Sequence, residues 1–203
     1  MVDSPKHDFM TTELDPDLLS TPFGVQTNWH VITGAPCSGK TTLIDQLADK
    51  GFQTNPETGR KYIEREMARG RTIDQIREND AAFARALKDM QLGIEHRLQA
   101  IDVIFLDRAF PDCRAFFRVT GLNPNEILAE CFHHRYASVF ILDRLPVQQD
   151  GVRTEDDVTA DLLDKWLARD YSALGYRVVR VPALSPEERL TFVLERLSEQ
   201  ALI

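Results

Sequence analysis

The stretch HVITGAPCSGKTTLIDQL, residues 30–47, decides the fold of this chain. It contains the pattern G-x-x-x-x-G-K-[ST], whose fixed positions are Gly34, Gly39, Lys40 and Thr41. The apolar run at 29–32 predicts a strand before the pattern, and the amphipathic stretch at 42–47 predicts a helix after it. A strand, a glycine-rich loop and a helix in this order are typical of a phosphate-binding loop.

The residue types of the loop fit the binding of nucleotide phosphates. Glycines let consecutive backbone N–H groups converge on phosphate oxygens, and the helix N-terminus adds a partial positive charge. We expect Lys40 to reach the β- and γ-phosphates and the Thr41 hydroxyl to ligate Mg²⁺. The pattern therefore predicts that Gly34, Gly39, Lys40 and Thr41 take part in nucleotide binding.

Length and composition narrow the class of protein. A chain of 203 residues with 43% hydrophobic and 28% charged residues predicts one globular α/β domain. A net charge of −8 argues against a broad nucleic-acid-binding surface. The three cysteines are widely spaced, which predicts no disulfide framework and a reducing compartment. The polar first residues and the lack of a long apolar stretch predict a cytoplasmic protein without a transmembrane segment.

Strands and helices alternate along most of the chain. Residues 1–26 show little periodicity and predict an N-terminal tail or arm, and residues 27–203 form the predicted domain. Predicted strands lie at 29–33, 51–55, 102–107, 136–143 and 176–182, and predicted helices at 59–70, 72–80, 81–98, 123–135, 154–175 and 185–200. The alternation predicts a three-layer α/β fold, in which a parallel sheet carries helices on both faces. Functional side chains are then expected at the carboxyl ends of the strands.

Two charged residues follow the second predicted strand, in the sequence NPETGR. Glu57 could take a proton from a hydroxyl or hold Mg²⁺ through water. The alternative is a glutamate that only stabilises the first turn of a helix. Arg60 is a candidate for substrate binding. The alternative, an arginine exposed on the surface without a role in the site, is considered equally.

The strand VIFLD ends at Asp107, the position at which a carboxylate orients Mg²⁺ in phosphate-loop proteins. Motor-type ATPases usually place a glutamate next to activate water, whereas here Arg108 follows, and arginine cannot act as a base. An arginine beside the acceptor site suits anion binding or the stabilisation of transferred charge. This position therefore favours phosphoryl transfer over hydrolysis. For Asp112 we favour a place in the first turn of a helix over a place in the site.

Two further candidates lie outside the strand ends. The loop after Asp143 contains Arg153, which we predict to belong to a lid over the phosphates, the alternative being a solvated surface loop. Gln91 and Glu95 lie one helical turn apart and could line an acceptor pocket. A solvated helix face is the interpretation we favour for this pair.

The chain resembles the NadR-type AAA-domain proteins, named for the ribosylnicotinamide kinase domain of NadR. GAPCSGKTTLIDQLADKG, PETGR, a helix with Gln91, VIFLDRAFPD and DGVR carry the resemblance, which covers roughly residues 28–200. It implies a five-stranded parallel sheet, ATP or GTP with Mg²⁺, and phosphorylation of a nucleoside-like hydroxyl. It also implies that the nucleotide is bound by Gly34, Ala35, Pro36, Cys37, Ser38, Gly39, Lys40, Thr41 and Thr42. By the same resemblance, Asp107 and Glu57 are implied to be the catalytic carboxylates and Arg153 the lid arginine.

Two functions from different classes follow. The first is a kinase for a small molecule, in which Asp107 or Glu57 takes the proton of the acceptor hydroxyl while Arg108 and Arg153 offset charge. The second is a nucleotide-dependent switch or adaptor that binds a phosphorylated lipid or a protein. A small GTPase is disfavoured because the chain has no N-K-x-D element, and a AAA+ motor because no Asp-Glu pair follows VIFL. A monomer or a homodimer is expected.

Overall fold

The computed structural model describes residues 14–145 and 157–199. Its α-helices are α1 (Pro16–Leu19), α2 (Lys40–Asp49), α3 (Thr58–Ala68), α4 (Ile73–Arg77), α5 (Asp80–Glu95), α6 (Asp112–Val119), α7 (Asp157–Ala173) and α8 (Pro186–Glu199). Its strands are β1 (Val25–Gln26), β2 (Trp29–Thr33), β3 (Gln53–Asn55), β4 (Ile104–Asp107), β5 (His134–Arg135), β6 (Ser138–Leu142) and β7 (Val178–Val181).

The main sheet has five parallel strands in the order β3-β4-β2-β6-β7. The central strands β2, β4 and β6 are buried along their whole length, which explains their continuous apolar sequences. Two hydrophobic cores cover the sheet. One contains residues of α2 and α8, and the other residues of α5, α6 and α7. The predicted three-layer α/β fold with a five-stranded parallel sheet is confirmed.

Part of the predicted N-terminal arm packs on the domain. Asp15 caps α1, and β1 pairs in parallel with β5 in a separate two-stranded sheet. The side chains of Leu18, Leu19 and Phe23 pack against the core that contains α6 and α7. The division of the chain at residue 26 stays a prediction.

One predicted helix is wrong. Residues 123–135 form two short 3₁₀ helices, Pro124–Ile127 and Ala129–Phe132, followed by β5. The pairing of β5 with β1 draws the end of this segment into a strand, so a continuous helix cannot form. Asn123 does cap the first 3₁₀ helix, where its side chain accepts a hydrogen bond from the N–H of Asn125.

The last helix begins as predicted. Ser185 and Glu188 exchange side-chain hydrogen bonds with each other's backbone N–H groups, and Pro186 is the first helical residue. Within the two described ranges, none of the helices combines the length and the apolar character that crossing a membrane requires. The first residues of the helix predicted at 154–175 lie outside the described residues.

Candidate active site

The loop between β2 and α2 has backbone angles that require glycine at two positions. Gly34 has φ 147° and Gly39 has φ 79°, both on the left-handed side. A Cβ on Gly34 would lie 2.7 Å from the carbonyl oxygen of Leu142, so a larger residue would separate the loop from β6. Cys37, with φ 61° and an exposed side chain, lies at the outer turn of the loop. The backbone therefore has the close turns that phosphate binding needs.

Lys40 is the buried cation of this loop. Its Nζ donates to the carbonyl oxygen of Ala35 at 2.9 Å and to Oγ of Ser38 at 3.3 Å. Burial lowers the pKa of Lys40 to about 8, with Arg108 acting in the same direction and Asp107 opposing it. The other predicted loop residues range from buried to exposed: Ala35 and Ser38 are buried, Pro36 and Thr41 are half-buried, and Thr42 is exposed.

Asp107 ends β4 directly beside the loop-bearing strand. It lies in register with Ile32 of β2, on the sheet face that packs against α2. Asp107 is 2% exposed, and its Oδ1 has no hydrogen-bond partner among the described residues. Burial raises the pKa of Asp107 to about 6, and Glu57 adds to this while Arg108 opposes it. An unpaired buried carboxylate of this kind is suited to a cation.

The residues around Asp107 fit Mg²⁺ held together with phosphates. The described parts of the chain contain no cluster of three or more His, Cys, Asp or Glu side chains arranged for a metal ion. Mg²⁺ that accompanies nucleotides needs few protein ligands, because water and phosphate oxygens fill the other positions. The orphaned Oδ1 of Asp107 and the Thr41 hydroxyl in the first turn of α2 are the ligands that the sequence predicts.

Arg108 joins two carboxylates at the carboxyl end of β4. Its Nε donates to Oε1 of Glu57 at 3.2 Å, and its Nη1 donates to Oδ1 of Asp112 at 3.2 Å. The residue has φ 70°, a conformation that costs energy in a non-glycine residue, and its N–H donates to the carbonyl oxygen of Ile32 at 3.0 Å. Burial opposes the charge of Arg108, but Glu57, Asp112 and Asp107 outweigh it and raise its pKa.

Asp112 is the buried carboxylate that binds Arg108. It begins α6, as predicted, and is 2% exposed. Its Oδ2 accepts hydrogen bonds from the Tyr171 hydroxyl at 2.5 Å and from the N–H of Ala109 at 3.2 Å, and its Oδ1 also accepts from the Thr33 hydroxyl. Asp112 therefore occupies both places considered for it. It lies in the first turn of α6, and it also belongs to the site because it binds Arg108.

Glu57 lies at the mouth of the site with 32% of its side chain exposed. It precedes the first residue of α3 but makes no capping hydrogen bond there, which weakens the interpretation as a helix-stabilising glutamate. Burial would raise its pKa, but Arg108, Lys40 and Arg60 outweigh this and lower it. Glu57 is thus an ionised, partly accessible carboxylate at neutral pH.

The favoured interpretation of Gln91 and Glu95 as a solvated helix face is wrong. Gln91 is 3% exposed and Glu95 is 1% exposed, so both are buried. Gln91 accepts a hydrogen bond from the Thr58 hydroxyl and donates to Oε1 of Glu95 at 2.8 Å. Glu95 also accepts from the N–H of Phe110 and from the Tyr136 hydroxyl, both at 2.7 Å. These partners satisfy the pair inside the protein, and Thr58, the residue after Glu57, joins it to the site.

Of the other arginines predicted for the site, Arg60 is described, and its charge acts on Glu57. Arg60 is exposed on α3 and forms no ion pair with another described residue. Arg144 pairs with Asp161 of α7 at 2.7 Å. Arg153, with the predicted lid, lies outside the described residues, so its role stays a prediction.

Replacing Asp107 by asparagine is expected to stabilise the protein in the absence of nucleotide. The folded state raises the pKa of this group from 3.8 to about 6, so its ionisation opposes folding. That cost is complete above pH 6 and is lost as the pH falls towards 4, because the folded form then holds the proton. Relief of a buried unsatisfied charge, worth about 1–3 kcal/mol, corresponds to a gain in Tm of roughly 2–12 °C at pH 7.5.

Thermal unfolding of Asp107→Asn and wild type at several pH values tests this expectation. Asp89→Asn is the control, because Asp89 is an exposed carboxylate in the middle of α5. An Asp107→Asn variant that is less stable than wild type at pH 7.5 would show that Asp107 is satisfied within the fold.

Comparison with known families identifies the domain. Residues 29–189 match the family described as an AAA domain. The chain belongs to this family. No match was found among curated proteins.

Solved structures with a similar fold include kinases for small molecules. NadR in complex with NR has 20% sequence identity and a TM-score of 0.61, and the match covers 85% of this chain and 51% of that one. Deoxyadenosine kinase from M. mycoides has 13% identity and a TM-score of 0.62, with 84% and 98% covered. Shikimate kinase from Aquifex aeolicus has 19% identity and a TM-score of 0.52, with 86% and 98% covered. This chain spans about half the length of the NadR chain.

These similarities confirm the predicted resemblance to NadR-type proteins and the P-loop NTPase fold. At these identities the similarity establishes the fold alone. Three side chains that sequence reasoning did not place in the site contact it directly: Thr33 and Tyr171, which bind Asp112, and Arg189, which binds the carbonyl oxygen of Ser38. Thr33, Tyr171 and Arg189 belong to no recognisable motif. The sequence alone therefore did not indicate that they contact the site.

Proposed function

We propose that this protein is a kinase that transfers the γ-phosphoryl group of ATP to a hydroxyl of a nucleoside-like small molecule. The observation that carries the proposal is the arginine between two carboxylates at the end of β4. Arg108 occupies the position at which a motor would carry its water-activating glutamate, and it connects Glu57 to Asp112 beside the phosphate loop. The AAA-domain family and the kinase folds of the structural neighbours support it.

The roles of the two catalytic carboxylates differ in this proposal. Asp107, with its unpaired buried oxygen on the side of α2, would hold Mg²⁺ with Thr41. Mg²⁺ neutralises charge on the β- and γ-phosphates. Glu57, partly exposed and ionised, is the better-placed proton acceptor for a hydroxyl that arrives from solvent. Its ion pair with Arg108 fixes the direction of the carboxylate.

The reaction follows from these positions. Glu57 takes the proton of the acceptor hydroxyl, and the acceptor oxygen forms a bond to the γ-phosphorus. The bond from that phosphorus to the bridging oxygen breaks, so ADP leaves with the electron pair. Lys40 and Arg108 offset the charge that spreads over the transferred group. Arg153 would add to this if the lid closes as the sequence predicts. GTP would offer the same phosphates to the loop, so the proposal includes it as an alternative phosphoryl donor.

A screen of nucleosides and related metabolites for acceptor-dependent release of ADP tests this function. Basal release should be slow, and a suitable hydroxyl compound should raise it at least tenfold. Fast release that needs Mg²⁺ but no acceptor would contradict the proposal. Slow release with no responsive acceptor would instead support a nucleotide-dependent switch that binds a phosphorylated lipid or a protein.

A further inference from the structure

Arg189 of α8 lies directly behind the phosphate loop. It is 2% exposed although it belongs to a surface helix. Its guanidinium donates hydrogen bonds to three backbone carbonyl oxygens. Nε binds that of Pro182 at 2.9 Å, Nη2 binds that of Asp143 at 2.9 Å, and Nη1 binds that of Ser38. One side chain thus connects the chain just after β6, the chain just after β7 and the loop.

The contact with Ser38 controls a hydrogen-bond donor of the loop. In a trans peptide the C=O and the N–H of the next residue point in opposite directions. Because Arg189 fixes the carbonyl of Ser38, it turns the N–H of Gly39 away from α8 and into the loop. Gly39 has φ 79°, and a Cβ there would lie 3.2 Å from Nη1 of Arg189. The guanidinium therefore packs against the loop backbone itself.

Arg189 is also unlike the other buried arginines in its charge balance. Arg108 has Glu57 and Asp112, and Arg118 shares Asp170 with Arg114. Arg189 forms no ion pair with another described residue, and its three hydrogen-bond partners are neutral carbonyl groups. The charge of Asp143 does act on Arg189, but Asp143 also pairs with Arg180. An arginine stays protonated even when buried. The carboxylate of Asp143 offsets only part of the cost of burying this charge, so an anion on the other side of the loop would balance it further.

We propose that Arg189 is a positioning residue for the phosphate loop, which aims the Gly39 N–H at the nucleotide and whose charge is balanced by the bound phosphates. This inference rests on the proposed nucleotide site and adds a second cation behind the loop to Lys40 within it. Lys40 contacts the carbonyl oxygen of Ala35 and Oγ of Ser38, whereas Arg189 contacts the carbonyl oxygen of Ser38. The two cations therefore hold different atoms of the same loop residue, Ser38.

Calorimetric titration of ATP–Mg²⁺ and ADP–Mg²⁺ tests the role of Arg189. Arg189→Gln should weaken ATP binding at least about tenfold, the effect of losing a charge-assisted contact. ADP binding should weaken less, because ADP brings one negative charge fewer. Arg189→Lys should restore part of the affinity, since an ammonium keeps the charge but not the three-way fork. Arg196→Gln is the control, because Arg196 is an exposed arginine of the same helix that pairs with Glu199.

The outcomes separate this inference from the proposed function. A folded Arg189→Gln variant that binds ATP within threefold of wild type would overturn the inference and leave the function intact. Wild type that binds neither nucleotide would overturn both. If Arg189→Gln does not fold, Arg189→Lys decides, because affinity equal to that of wild type would show that the three-way fork does not position the loop. A loss of equal size for ATP and ADP would overturn the charge-balancing role.

Discussion

Lys40→Ala is expected to weaken the binding of ATP–Mg²⁺ at least about 100-fold, the equivalent of two charge-assisted hydrogen bonds. Nζ of Lys40 now binds Ala35 and Ser38 within the loop, where a triphosphate would offer stronger acceptors. The fold should survive, because the side chain supplies charge and little packing. Calorimetry gives the affinity, and thermal unfolding checks the fold. Lys50→Ala, an exposed lysine that ends the same helix, is the matched control.

The same lysine gives ATP binding a characteristic dependence on pH. The pKa of Lys40 without nucleotide is about 8, since burial disfavours the charge. Phosphates favour the charged form, so binding raises this pKa and takes up a proton above pH 8. Affinity should therefore fall as the pH rises beyond 8, and titrations in two buffers of different ionisation enthalpy should detect the proton. If Lys40→Ala binds ATP as tightly as wild type, the loop does not bind the nucleotide.

Glu57→Gln is expected to lower kcat by about 10²–10⁴-fold, the range for the loss of a general base. An amide keeps the size of the side chain but cannot accept the proton of the acceptor hydroxyl. Arg108 keeps its bond to Asp112, so the arginine should stay in place and nucleotide affinity should change little. Single-turnover kinetics with an identified acceptor measure the chemical step.

Glu126→Gln is the control for Glu57→Gln, because Glu126 is an exposed glutamate that pairs with Arg85 away from β4. The control should retain full activity. If Glu57→Gln transfers phosphate at the rate of wild type, Glu57 is not the base.

Features encoded by local sequence were predictable. The loop pattern, the strand before it and the helix after it lie within about twenty consecutive residues, so local backbone preferences determine them. Asp107 was identifiable because a carboxylate directly follows a continuous apolar strand. Glu57 was recognised for the same reason, since it closely follows the shorter strand β3.

Contacts between distant parts of the chain were not predictable. The hydrogen bond between Tyr171 and Asp112 spans 59 residues, and that between Arg189 and Ser38 spans 151. Such contacts depend on how α6, α7 and α8 pack on the sheet, which no local pattern records. Gln91 was assigned to a solvated face for the same reason. Its polar side chain indicates exposure unless the buried partners on other elements are known.

The fate of the γ-phosphoryl group tests the central claim most directly. ATP labelled at the γ-phosphorus is incubated with the protein, Mg²⁺ and an acceptor that stimulates ADP release, and the products are separated. The account predicts that the label appears in a phosphate ester of the acceptor, in an amount equal to the ADP formed, and that Glu57→Gln abolishes this product. Label found only in inorganic phosphate, at a rate independent of the acceptor, would contradict it.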